Sequence, residues 1–188
     1  MADTDRVGQP GDLCILLNPR EEERALMRQE QEILAKSYGG WIVPEPHVTV
    51  QRFRLGRGQS LRNVMDQLQG SFRKVSPFTL YAAGLTQFLA PFWGTYVLRW
   101  MILEDHALRR FFAAVDGPLK LMNCPLDYAH EIPATCGALD LTHEVNLDEG
   151  PALKFPHPLF VVRTVLITGI MGVNDFETLG EIHLGLDP

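Results

Sequence analysis

The residues best suited to chemistry lie in the segment Pro46–Phe53, which carries a histidine and a threonine two positions apart. The segment is rich in β-branched residues and has proline only at its first position, which is typical of a strand. Because side chains alternate between the two faces of a strand, His47 and Thr49 should share a face, about 6–7 Å apart. An imidazole exchanges a proton near neutral pH, and a hydroxyl donates a hydrogen bond to an oxyanion. The pair therefore predicts half of an acid–base site, with a purely structural histidine as the alternative.

The residues that follow this pair predict an anion-binding surface. Strict alternation puts Gln51 on the same face as the histidine. Arg52, Arg54, Arg57 and Arg62 come next and form the most basic stretch of the chain. Guanidinium groups bind phosphate through paired hydrogen bonds. The stretch is interpreted as a phosphate-facing loop, with a solvated turn as the alternative.

Composition limits the class of protein. The chain has 188 residues, 46% of them hydrophobic, and a formal net charge of −6. The acidic balance argues against binding to long duplex nucleic acid but allows a small nucleotide or an RNA end. No apolar run is long enough to span a membrane, and the first residues do not form a signal peptide. Three cysteines suit a reducing compartment, so a cytoplasmic location is predicted.

The elements that must position the candidate residues form two similar halves, each with a helix between strands. Ser60 and Asp105 are predicted helix caps. The order predicts an α+β fold that is pseudo-duplicated and two-lobed, with antiparallel sheets, helices packed outside and a central cleft. Residues 1–11 are expected to form a flexible arm, and 12–188 a single two-lobed domain. Predicted strands cover 12–17, 46–53, 78–85, 95–103, 139–147, 160–168 and 176–186, and predicted helices cover 19–38, 61–72 and 106–115.

Together these features resemble the two-histidine phosphoesterases, the superfamily of 2′-5′ RNA ligase-like proteins and cyclic nucleotide phosphodiesterases. The mark of that family is a His-x-Thr or His-x-Ser motif on a strand in each of two lobes, facing one cleft. Pro46–Val50 matches the first motif. Gly84–Phe88 resembles the start of the central hairpin, and Phe160–Leu166 with Phe176–Leu186 resembles the final strand pair. The resemblance covers roughly residues 12–186.

The second motif departs from the family pattern. His143 is the preferred second histidine, 96 residues after His47 (143 minus 47), on the alternating segment 139–147. Val145 stands where the pattern has a hydroxyl, and one lost hydrogen bond to a charged group costs about 1.5–3 kcal/mol. His130, 83 residues after His47 (130 minus 47), is the competing candidate.

The resemblance implies a metal-independent phosphodiesterase that acts on 2′,3′-cyclic or 2′-5′-linked nucleotide or RNA phosphates and needs no cofactor. His47 and His143 would serve as general acid and base, and Thr49 would stabilise charge on the phosphoryl oxygens. The partner would be a nucleotide or an RNA end, with no membrane and no long duplex. The predicted substrate-binding residues are Gln51, Arg52, Arg54, Val145, Phe92 and Trp93.

Two other functions stay open. Val145 favours a family member that binds a nucleotide or RNA end without turnover. A Cys/His zinc site made by Cys124, His130, Cys136 and His143 is the third hypothesis, although these spacings lack a close Cys-x-x-Cys pair. Phosphate-binding glycine loops and nucleophile elbows are absent from the sequence.

Overall fold

A computed structural model describes residues 10–90, 94–126, 134–172 and 175–185. In these ranges the chain forms three α-helices, one short 3-10 helix and nine strands that join in one antiparallel sheet. The elements are β1 Leu13–Leu17, α1 Glu21–Tyr38, β2 Trp41–Ile42, β3 Val48–Phe53, α2 Leu61–Phe72, β4 Phe78–Ala90, β5 Thr95–Ile102, α3 His106–Leu121, β6 Thr135–Leu141, the 3-10 helix Leu147–Glu149, β7 His157–Val162, β8 Thr164–Gly172 and β9 Asp175–His183.

The sheet consists of two four-stranded halves. One half has the order β7-β4-β5-β6, the other has the order β3-β1-β8-β9, and β2 pairs with the outer part of β6. The halves meet where Val48 of β3 pairs with Cys136 of β6. Each half carries a helix between two of its paired strands, α1 between β1 and β3, and α3 between β5 and β6. The predicted α+β, two-lobed architecture is confirmed, as a curled antiparallel half-barrel.

The helices cover one face of the sheet, and the main hydrophobic core lies between them and the strands. Side chains at Ser60 and Asp105 accept hydrogen bonds from the backbone N–H groups of Asn63 (3.2 Å) and Leu108 (2.9 Å), so both predicted caps are confirmed. We call the opposite side of the sheet the open face; it carries a small apolar cluster around Leu16. No helix in the described ranges is long and apolar enough to cross a membrane.

Several predicted boundaries were wrong for local reasons. Helix α1 begins at Glu21 rather than residue 19, because Arg20 is extended and its N–H bonds the Glu23 carboxylate. Strand β4 continues to Ala90, through most of the predicted connection. Helix α3 runs past Pro118 and ends at Leu121. The predicted strand 160–168 is two strands, β7 and β8, which are separated at Arg163.

The predicted strand over residues 139–147 was also wrong. Strand β6 starts earlier and ends at Leu141, after which the chain leaves the sheet. The amide of Gln87 on β4 replaces a strand partner there: it accepts a bond from the Val145 N–H (2.9 Å) and donates one to the Val145 carbonyl. The Tyr38 hydroxyl donates to the Leu147 carbonyl at 3.1 Å. The side chains of Gln87 and Tyr38 therefore hold residues 145–147 in place of a hydrogen-bonded neighbouring strand.

Gly150 is required by the close approach of the Tyr38 hydroxyl. A Cβ at Gly150 would lie 1.5 Å from that oxygen. We expect Gly150→Ala to lower the free energy of unfolding by about 1–3 kcal/mol, because the ring must move and give up its bond to Leu147. Gly70→Ala, in α2 with open space around the new methyl, should be neutral or stabilising. Urea denaturation of both variants measures the difference, and equal unfolding energies would contradict the steric assignment.

Candidate functional site

His47 lies directly before β3, with its ring held by the backbone. Its Nδ1 is 3.0 Å from the Glu45 carbonyl oxygen. Because a carbonyl only accepts, Nδ1 carries the proton in this bond, and Nε2 keeps a free lone pair. The ring packs edge-on against Phe176 of β9, with centroids 5.5 Å apart and planes at 75°. The imidazole is therefore fixed in the tautomer that a general base needs.

Burial favours the neutral form of this imidazole. It lowers the pKa of His47 below the ordinary value, and the positive charge of Arg99 lowers it further, whereas the bond to the Glu45 carbonyl acts in the opposite direction. A neutral ring at neutral pH accepts a proton readily. The position, the tautomer and the lowered pKa of His47 are therefore all compatible with a role as a general base.

A bulge in β3 decides which neighbours share the open face with His47. The pairing of β3 with β1 shifts by one residue at Val50, so Thr49 and Arg52 lie on the open face. Gln51 is turned to the helix face, where it is fully buried and donates to the Asp116 carboxylate at 3.1 Å. The prediction that Gln51 lies beside Thr49 was wrong, because strict alternation ignores the extra residue.

Arg99 of β5 is the site residue that sequence reasoning missed. It pairs with Gly137 of β6, and its guanidinium carbon lies 5.6 Å from the centre of the Phe88 ring. Its charge lowers the pKa of both His47 and the Asp140 carboxyl. Because this guanidinium is close to Phe88, His47 and Asp140, it lies in the middle of the open face. The available signal was one charged residue in the otherwise uncharged strand TYVLRWMI.

The two halves of the sheet correspond residue by residue. Val48 pairs with Cys136 at their junction, an offset of 88 positions (136 minus 48). The bulges repeat this offset: the extra residue is Val50 in β3 and Ala138 in β6 (138 minus 50). A pseudo-twofold axis at the junction therefore relates β3 to β6 with a register set by two independent features.

This register identifies the counterparts of His47 and Thr49 on β6, and neither of these two residues is a histidine. The counterpart of His47 is Thr135, and the counterpart of Thr49 is Gly137. A Cβ on Gly137 would lie 3.1 Å from the Val43 side chain, so valine fills the space of the missing threonine. The strand register therefore puts Thr135, and not the predicted His143, at the position related to His47.

His143 lies beyond the far end of β6. Cys136, beside the His47 segment, and Leu141 are five positions apart on β6, about 17 Å in an extended strand. The His143 side chain is exposed, and its Nδ1 is 2.9 Å from the Thr142 hydroxyl. Two imidazoles that far apart do not reach one phosphoryl group, since each needs hydrogen-bond contact with it.

The remaining predicted contacts fall in three groups. The backbone of Val145 is hydrogen-bonded to the Gln87 side chain. The pairing of β4 with β5 puts that side chain on the helix side of the sheet, so Val145 lies away from the open face. Arg54 is 2.5 Å from the buried Asp12 carboxylate and neutralises it. Of the two predicted arginine contacts, Arg52 and Arg54, only Arg52 lies on the open face with Thr49. Three further residues singled out from the sequence lie outside the described residues: Phe92, Trp93 and His130.

The zinc hypothesis does not fit the described chain. Cys136 and His143 are at opposite ends of β6, too far apart to share one ion. Burial raises the pKa of the Cys136 thiol to about 12, and Cys124 is buried with no disulfide partner. Within the described ranges, no three His, Cys, Asp or Glu side chains form a group that could hold a metal ion.

Comparison with known proteins identifies the fold. No family model matches the chain, and no curated protein matches it. Solved structures do match over nearly the full length. The TT0787 protein of Thermus thermophilus has a TM-score of 0.67 at 17% identity, covering 94% of this chain and 100% of that one. E. coli LigT complexed with NADP+ has a TM-score of 0.63 at 18% identity, covering 95% and 100%. This chain has a LigT-like fold. A further structure described as a phosphoesterase agrees, with a TM-score of 0.62 at 14% identity, covering 95% and 100%. On this fold, the chain has His-Val-Thr at the start of β3 and Thr-Cys-Gly at the counterpart positions of β6.

The electrostatic coupling between Arg99 and His47 gives a pH prediction. The pKa of His47 should lie below 6.5 in the folded protein, and Arg99→Gln should raise it, because a nearby positive charge is removed. Any turnover that uses neutral His47 should fall as pH drops through that pKa, and the fall should begin at higher pH in the variant. NMR titration of the His47 ring measures the shift. Arg73→Gln, an exposed arginine at the end of α2, is the control, and equal shifts in both variants would contradict the coupling.

Proposed function

We propose that the open face binds the phosphate of a nucleotide or RNA end, and that the chain is a phosphodiesterase of 2′,3′-cyclic or 2′-5′-linked phosphates. The observation that carries the proposal is His47, a desolvated and oriented imidazole within electrostatic reach of Arg99. Crystal structures of E. coli LigT hold 3′-AMP, ATP and phosphate, which supports a nucleotide phosphate as the ligand class.

The proposed reaction uses His47 as the proton carrier. Its Nε2 takes a proton from the attacking water or hydroxyl, whose oxygen forms the new bond to phosphorus. The P–O bond to the leaving oxygen breaks, and the protonated ring or water returns a proton to that oxygen. Thr49 donates a hydrogen bond to a phosphoryl oxygen, and Arg99 stabilises the negative charge. The scheme calls for no cofactor.

In the described part of the chain, one imidazole is available on the open face, which implies slow turnover. A positioned proton donor at the leaving oxygen typically contributes a factor of about 10²–10⁴. Thr135, at the counterpart position, has no group that titrates near neutral pH. We therefore expect binding to be well developed and hydrolysis to be slow.

Binding without turnover is the second candidate function. It is favoured by the counterpart positions on β6, where Thr135 stands in place of an imidazole and Gly137 has no hydroxyl to match Thr49. In this function the open face would retain a nucleotide or RNA end, and His47 would act as a hydrogen-bonding group only.

A substrate panel separates the two functions. The purified protein is incubated with 2′,3′-cyclic, 2′-5′-linked and 3′-5′-linked substrates, and binding of the same compounds is measured by calorimetry. Slow, His47-dependent cleavage of the first two classes is the expected result. Binding with no product after long incubation would support the second function, and absence of both binding and cleavage would reject both.

A further inference from the structure

Asp140 of β6 is a carboxylate that the proposed reaction does not use. It is half-buried, and in the described part of the chain its oxygens form no hydrogen bond or ion pair. Burial raises its pKa, and the charge of Arg99 opposes that shift. A partly desolvated carboxylate without a donor is costly unless a ligand supplies one. The group therefore calls for an N–H or O–H partner from outside the chain.

Trp41 lies directly beside it. Strand β2 pairs with β6 so that Trp41 is opposite Asp140, and the adjacent pair, Ile42 and Leu139, faces the helix side. Trp41 and Asp140 therefore point to the open face, and 61% of the tryptophan surface is exposed. Gly40 makes the contact possible, since a Cβ there would lie 2.4 Å from the Asp140 carbonyl oxygen. An exposed indole beside a carboxylate is a surface on which a base can stack.

The two groups are at nucleotide distance from the phosphate half of the site. Gly137, the partner of Arg99, and Asp140 are three residues apart on β6, about 10 Å or less. The charge of Arg99 also lowers the pKa of both His47 and Asp140, so its guanidinium is within electrostatic range of the two groups. One nucleotide can therefore extend from His47 with its phosphate to Trp41 with its base.

The chemistry of the carboxylate selects the base. An ionised carboxylate only accepts hydrogen bonds, and it accepts best from two neighbouring donors. On the Watson–Crick edge, guanine offers two adjacent donors, N1–H and the 2-amino group. Adenine and cytosine each offer one donor group, the exocyclic amine, beside an acceptor, and uracil offers one N–H between two acceptors; an acceptor next to a carboxylate is repelled.

We propose that Trp41 and Asp140 form a base subsite that selects guanine nucleotides. This inference rests on the proposed function, because the phosphate contacts position the base. A good paired contact discriminates between bases by roughly ten- to a hundredfold. Stacking on Trp41 strengthens every base without discrimination.

The test is the affinity of the wild type for the four nucleoside 3′-monophosphates and for inosine 3′-monophosphate, which lacks the 2-amino group. The guanine nucleotide should bind at least about tenfold more tightly than the other three, with inosine in between. Asp140→Asn should lose most of that preference and change adenine binding little. Trp41→Ala should weaken all bases at least about fivefold.

The outcomes separate this inference from the function beneath it. Equal binding of all bases, or a guanine preference that survives in Asp140→Asn and Asp140→Ala, overturns the base assignment alone. Equal loss for every base in Asp140→Asn would assign the carboxylate to the ribose instead and also overturn it. If no nucleotide binds to the wild type, the proposed function itself fails. Thermal unfolding of each variant confirms that it is folded.

Discussion

Replacing His47 by alanine should reduce the rate of phosphodiester cleavage by about 10²–10⁴, to or near the uncatalysed rate. The reason is that, in the proposed scheme, this imidazole is the group that takes the proton from the nucleophile. Affinity for a nucleotide should fall only severalfold, because Thr49 and Arg99 still contact the phosphate. Single-turnover cleavage of a 2′,3′-cyclic nucleotide, measured beside binding of a 3′-monophosphate, separates the two effects.

His143→Ala is the matched control for this experiment. It removes an exposed imidazole near the other end of β6 and should leave both rate and affinity unchanged. If His143→Ala lost activity to the same extent as His47→Ala, the one-histidine site would be wrong and the predicted pairing of these histidines would be restored. If His47→Ala kept full activity, the proposed function would lose its main support.

Introducing a histidine at position 135 should have the opposite effect. Because Thr135 is the pseudo-twofold counterpart of His47, Thr135→His would put a second imidazole at the position related to His47. Protonated, it would donate to the leaving oxygen, and we expect turnover to rise by about 10²-fold or more. The pH profile should change as well, from a single acidic limb to a bell, since one ring must be neutral and the other charged.

The control is the same substitution at the other end of the strand. Thr142→His adds an imidazole on the exposed segment after β6 and should change neither the rate nor the pH profile. No gain in Thr135→His, in a variant that still folds and binds nucleotide, would contradict the register-based assignment. A gain that is lost again in the double variant with His47→Ala would show that the two rings act together.

The first half-site was predictable because its signals are local. The β-branched residues around His47 favour a strand, and alternation over two positions puts Thr49 on the same side. The helix caps at Ser60 and Asp105 were predictable for the same reason, since a cap bonds an N–H only three residues away. Strand order was enough to indicate two similar halves and an α+β fold.

The second half-site depends on contacts between residues far apart in the chain. Alternating residues at 139–147 look like a strand, but the ladder that β5 provides ends at Leu141, and the Gln87 amide bonds the backbone of Val145 instead. The preference for His143 followed from a pattern that had no partner strand. Residue spacing alone does not show which segment will pair with a neighbouring strand.

Local sequence thus determined that this protein has a His47–Thr49 strand in a two-lobed α+β chain. Only the tertiary structure determined which residues lie beside His47 and Thr49 on the open face. The bulge at Val50 turns Gln51 away, and the register of β6 brings Thr135 and Arg99 to the open face. Both outcomes are set by hydrogen bonds between strands, and a shift of one residue reverses the face of every side chain that follows.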